Sequence, residues 1–280
     1  VFASPFLAFF TVFTLVPYLM AAWLSVVNWK PLGTTTYVGL ANYRNVVTME
    51  AFQKAAVNSV VYAILVVIPS LVIALVIAML IVSLRNKKWQ EFFQGAFYLP
   101  GVVSGLAIVV IWRFVYDYPG GVLNYLISLI GLQPVNWLGN PRTALPSLAL
   151  MPLIGGHGGT IIIFCAALLG ISQDLYDAAA VDGAGFWRQQ VSITLPLLTP
   201  AILYVLVVST LGALQVFAPV YLLTRGGPIN STITIGYYIY LQLTFFSKTG
   251  NAAAAGLLLL IATVGLTVFQ FRRFRSVVEM

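Results

Sequence analysis

Six stretches of this chain are apolar for long enough to cross the hydrocarbon of a bilayer, and that pattern leaves few folds open. They are Phe2–Val27, Val57–Leu84, Ala96–Val115, Pro146–Gly170, Leu197–Leu223 and Ala252–Phe271; a spanning helix needs about 20 largely apolar residues. The runs are continuous rather than alternating, which favours helices over an outer-membrane barrel. Only 8% of the 280 residues are charged, against roughly 25% in a soluble domain. So few charges cannot coat a water-soluble sphere of this size, and a 60% hydrophobic content excludes disorder. The expected fold is an all-α polytopic membrane protein with six transmembrane helices, a single transmembrane domain over residues 1–280. The flank Asn28–Trp29 lacks a small-residue cleavage pattern, so the first span reads as a retained anchor. Pro17, Pro69, Pro100, Pro152 and Pro219 lie inside the spans and predict kinks.

Orientation follows the basic residues of the connections. The 14 Lys and Arg split seven and seven between the two sides. One set is Arg85, Lys87, Lys88, Arg188, Arg272, Arg273 and Arg275, and six of these sit in two clusters against helix ends. The other set (Lys30, Arg44, Lys54, Arg113, Arg142, Arg225, Lys248) is scattered over three longer loops. Density breaks the tie and places both termini in the cytoplasm. The net charge of +7 fits topology and anionic lipid rather than nucleic acid. The single Cys165 excludes an internal disulfide, and no His/Cys/Glu cluster suggests a metal.

The connection over 171–196 is long for an inner loop. It runs Asp174-Leu-Tyr-Asp177-Ala178-Ala179-Ala180-Val181-Asp182-Gly183-Ala184-Gly185, then Ile193-Thr-Leu-Pro196. The alanines are strong helix formers, and Asp174 and Asp177 suit a helix N-terminus. Gly183 should stop that helix after about two turns, because glycine enters the left-handed cap freely. The expected product is a short amphipathic helix with a small-residue face, which suits docking rather than catalysis. On these residues alone, an interfacial helix that merely caps the bundle is equally open.

Tyr176-Asp-Ala-Ala-Ala-Val-Asp-Gly-Ala, followed by Ile193-Thr-Leu-Pro196, resembles the "EAA" loop of binding-protein-dependent ABC importer permeases, with Asp177 in place of the family's Glu. Tyr37-Val-Gly-Leu-Ala-Asn-Tyr-Arg44, Tyr221-Leu-Leu-Thr-Arg-Gly-Gly-Pro228 and Tyr238-Ile-Tyr240 are similar to outer segments of sugar permeases in that family, of the maltose and glycerol-phosphate type. The resemblance implies a non-enzymatic permease subunit of a prokaryotic inner (cytoplasmic) membrane. It implies three kinds of protein partner: a second, different permease, an ABC ATPase dimer and an extracytoplasmic solute-binding protein. ATP and magnesium would sit on the ATPase, since this chain has no G-x-x-x-x-G-K-[ST] loop. The expected cargo is a sugar, first of all an oligosaccharide. By match, Asp177 would pair with a basic residue of the ATPase, Ala178, Ala179 and Gly183 would pack into its groove, and Asp182 completes that coupling surface.

Polar residues at membrane depth default to a functional reading. Gly155-Gly156-His157-Gly158-Gly159 should loosen or break the fourth span, leaving either a wider cavity around Gly156 and His157 or close helix packing. Ser209, Gln215 and Tyr221 are the polar candidates of the fifth span, with Trp112, Phe217 and Tyr221 as aromatic walls for a sugar ring. Interface belts also use such aromatics, and lone histidines are more often structural. A secondary transporter is the rival class, but it would need intramembrane carboxylates, and apart from Asp117 near an edge the spans have none. Glycerol phosphate or a uronate oligosaccharide stands behind a neutral oligosaccharide as cargo, since an anion would want more membrane-depth cations than His157 and Arg113.

Overall fold

The structure is a computed structural model describing residues 4–30 and 33–278; Phe2, the expected start of the first span, lies outside them. Helix α1 (Ser4–Ser25) widens to π geometry over Thr11–Leu15. Pro17 has no N–H to offer, so the hydrogen-bond ladder shifts beside it. A two-stranded antiparallel ribbon follows, β1 (Val27–Asn28) with β2 (Thr36–Tyr37), pairing Val27 with Tyr37 and Asn28 with Thr36. This ribbon departs from the all-helical expectation and ends the first span two residues early. Helix α2 (Ala41–Thr48) fixes it: the Asn42 amide donates to the Ser25 and Val27 carbonyls at 2.9 and 3.0 Å.

Helix α3 (Glu50–Val82) is the longest at 33 residues, and Pro69 lies within it without ending it. One missing N–H is a small loss in a helix of that length. It begins before the expected Val57 because its first turn is a charged one, with Lys54 and Glu50 paired at 2.7 Å. Helices α4 (Lys87–Val102) and α5 (Gly105–Val115) meet at 87°, two residues past Pro100. After α6 (Val122–Ser128), α7 (Ala144–Gly155) and α8 (Gly158–Leu169) meet at 50° across Gly156–His157, where the glycine run forecast a break. Then come α9 (Gln173–Val181), α10 (Phe186–Leu214), α11 (Ile235–Thr244) and α12 (Thr249–Val278).

Among the described residues, four helices are individually long and apolar enough to span, and up to six spans result if each bent pair crosses once. The fifth run is displaced from its expected Leu197–Leu223. The helix already begins at Phe186 and stops at Leu214. Beyond Gln215 the chain re-forms as a separate π turn, Val220–Thr224, closed by Arg225 in the left-handed region at φ 50°. Hydropathy marks where apolar side chains are dense. It does not mark where the backbone breaks, and here Pro219 restarts the chain outside the helix.

Two buried clusters hold the bundle. The larger joins α3, α5, α7, α11 and α12 through Phe52, Trp112, Leu148, Tyr238 and Ala254. The smaller packs Ala74, Ala78 and Ile81 of α3 against Phe164 and Cys165 of α8 and Val205 of α10. Small residues at these crossings let the backbones approach, which membrane helices need when burial alone supplies no driving force. A Cβ on Gly158 would lie 2.5 Å from the Phe97 carbonyl and 2.6 Å from Tyr98 Cα, so this glycine is the point where α8 rides on α4.

Candidate coupling helix and aromatic patch

Ser172 opens α9, its hydroxyl accepting from the Asp174 amide at 3.3 Å, and Asp174 lies in the positive first turn. The helix ends as its sequence dictates. Gly183 takes φ 77°, its N–H donates to the Ala180 carbonyl at 3.0 Å, and the Ala184 N–H reaches Ala179 at 2.8 Å. These two bonds form the left-handed cap that satisfies the last carbonyls. Asp177, Ala178, Asp182 and Gly183 are exposed and Ala179 half-buried. Asp177 accepts from Gln173 at 3.2 Å, one turn earlier, which orients its carboxylate along the helix.

Around this small-residue face lie side chains that water does not favour: Val181 is 89% exposed and Trp187 79%, with Phe186 beside it. A cleft of about 270 Å³ opens between Ala179, Asp182 and Arg188. What tethers α9 is a contact that the sequence motif did not reveal. The Tyr176 hydroxyl bonds Thr194 Oγ1 at 2.9 Å, and Thr194 is 1% exposed in the π turn Gln190–Thr194 that precedes Pro196. The expected loop up to Pro196 is thus largely helix, since α10 reaches back to Phe186. Tyr176 and Thr194 both stand inside the quoted motif, so the signal was a phenol and a hydroxyl on either side of the turn.

The substrate-pathway candidates are dispersed. Trp112 is buried in the larger core, its ring 5.1 Å from Tyr116. His157 is buried and bonds through Nε2 to the Leu153 carbonyl at 2.9 Å, within its own bend. Gly156 is the C-cap of α7, closed by its N–H on the Pro152 carbonyl. Ser209 is half-buried on α10, and Gln215 is its exposed C-cap. Among the described residues no hydrogen bond joins His157, Ser209 and Gln215 to one another.

Tyr221 is the candidate around which others gather. It stacks on Phe217 at 5.3 Å and meets Tyr240 edge-on at 5.1 Å, and Tyr237 and Phe245 extend the patch. The neighbouring Tyr240 phenol is the main influence pushing the Tyr221 phenol above its usual pKa, while burial does so for Tyr237 against the pull of Arg225. These phenols keep their protons at neutral pH and remain hydrogen-bond donors. The patch presents ring faces and hydroxyls together, the surface a pyranose recognises. Among the described residues no three His, Cys, Asp or Glu side chains converge on a metal-sized site.

Residues 54–275 match the family described as binding-protein-dependent transport system inner membrane component. The chain is 31% identical to the probable ABC transporter permease protein YurN of Bacillus subtilis (strain 168), over 95% of this chain and 92% of that one. It is also 31% identical to the lactose transport system permease protein LacF of Rhizobium radiobacter, over 98% and 93% respectively. A crystal structure of a bacterial ABC transporter involved in the import of the acidic polysaccharide alginate contains a chain of the same fold. That chain is 26% identical and superposes with a TM-score of 0.82, over 97% of this chain and 93% of its own.

Proposed function

With the chain belonging to the family of binding-protein-dependent transport system inner membrane components, we propose that it is one of two different permease subunits of an ATP-driven sugar importer. The observation that carries this reading is a 31% identity that runs nearly end to end with the lactose permease LacF. In it, each bent helix pair crosses the membrane once, giving six spans with both termini and α9 inside and the ribbon and aromatic patch outside. ATP and magnesium are held by a partner ATPase dimer, and a solute-binding protein, which the family description names, delivers the sugar.

In this mechanism α9 is the lever. When the ATPase subunits close, they press on Asp177, Ala178, Ala179, Asp182 and Gly183, the carboxylate of Asp177 pairing with a basic residue of the ATPase. The Tyr176–Thr194 bond carries that push into α10, which is continuous from Phe186 to Leu214. Movement of α10 shifts its outer end at Gln215 and the aromatic patch beyond it, which is domain rocking about a fixed site. Tyr221 and Ser209 are the side chains of this subunit that the sugar passes. An ion-coupled carrier would need membrane-depth carboxylates, and the identity with LacF favours ATP-driven import instead.

The test is purification of the tagged chain from its native membrane, followed by reconstitution. A second permease and an ATPase should copurify, and proteoliposomes supplied with the solute-binding protein should take up disaccharide only with ATP on the ATPase side. Uptake that follows a sodium or proton gradient without ATP overturns the reading.

A further inference from the structure

On the face that carries the ribbon, β1, α2, the turn before α12 and the first turn of α12 line an open cleft of about 870 Å³. Pockets for small ligands fall in the range of about 300–1,000 Å³. Its wall carries Lys30, Lys248, the amides of Asn42, Asn45 and Asn251, and the Trp29 indole, with no carboxylate among them. Neither lysine has an ion-pair partner among the described residues. Asn42 is spent on the Ser25 and Val27 carbonyls. Asn251 is different: it is only 5% exposed, lines the cleft, and its side chain makes no hydrogen bond among the described residues. Its amide atoms are reached from the cleft and are free to hydrogen-bond with what enters it.

We propose that this cleft is an outer saccharide site, separate from the aromatic patch, that takes a sugar residue bearing a carboxylate. The Asn45 and Asn251 amides each offer a donor beside an acceptor, the pattern that adjacent ring hydroxyls satisfy. The indole covers the apolar face of a pyranose. The two lysines without counter-charge answer the carboxylate, and the absence of any acid in the wall removes the repulsion a uronate would otherwise meet. The site depends on the importer reading only for the claim that this face is the outer one.

The complete transporter in lipid nanodiscs tests the site, with glucuronate as probe and glucose as its neutral match, read by saturation-transfer NMR. Saturation should pass to glucuronate ring protons at millimolar concentration and fade as salt screens the lysines. The surface variant K30A/K248A should bind about tenfold more weakly, and N251A should also weaken binding while eluting as a folded complex. No transfer to glucuronate, equal response to glucose, or unchanged binding in K30A/K248A overturns the site. So does crosslinking of Lys30 and Lys248 to a solute-binding protein in the absence of a glucuronate signal. Glucuronate binding without any ATP-driven uptake strikes at the importer reading alone.

Discussion

Two pairs of glycines show how much a single hydrogen atom decides. A Cβ on Gly158 runs into the backbone of Phe97 and Tyr98, which cannot step aside, whereas Gly159 next to it faces open space. Gly158→Ala should therefore cost about 1–3 kcal/mol of stability, while Gly159→Ala should be neutral or gain up to about 1 kcal/mol from helix propensity. Thermal unfolding of the detergent-solubilised complex separates the two. The other pair is Gly183 and Gly185. Gly183 holds φ 77° and Gly185 has φ −69°, open to any residue. Replacing Gly183 with Leu should unwind the cap of α9, so that sugar uptake collapses while ATP hydrolysis continues; Gly185→Ala should leave both near wild type. Normal uptake in Gly183→Leu would remove α9 from the coupling route. The stop at Gly183 was legible in the sequence because a left-handed cap is a local event. The difference between Gly158 and Gly159 was not, since it depends on which side of α8 meets α4.

Among the elements, α9 and α10 are tied together by the bond from Tyr176 to Thr194, the pin of the proposed lever. Tyr176→Phe and Thr194→Val each remove one partner of a bond worth about 0.5–1.5 kcal/mol. Each should lower the sugar transported per ATP hydrolysed about two- to tenfold. The double variant should be little worse than the poorer single one, because both act through one contact. Additive losses would mean that the two side chains serve separate purposes. The bend between α7 and α8 could be foreseen from four glycines in five positions. The ends of α10 could not, because Phe186, Trp187 and Val220 are as apolar as a membrane helix while serving a turn or a surface. The aromatic patch was half visible: Tyr221 and Phe217 share a helical spacing, but Tyr237 and Tyr240 reach them only through the return of α11.

For the molecule as a whole, sidedness is the property that positional charge counting settled least well, with seven basic residues on either side. The fold adds which connections lie together. The ribbon and the first turn of α12 pack together, since a Cβ on Gly250 would meet Asn42 Nδ2 at 2.5 Å and the Val27 carbonyl at 2.7 Å. The connections before α3 and before α12 therefore share a face, and α9 belongs to the other in the six-span arrangement. Cys165, the single thiol, is buried and should stay silent toward a membrane-impermeant maleimide. In intact cells Tyr37→Cys should label and Asp174→Cys should not; in inside-out vesicles the pattern should reverse. Labelling of both from one side would refute six crossings. The bare valine, phenylalanine and tryptophan around α9 also bear on biogenesis. With α9 on the inner side as proposed, a copy made without its proposed companions would hold grease out to the cytosol, the kind of signal by which quality-control proteases recognise an orphan, so that assembly itself becomes the licence to persist.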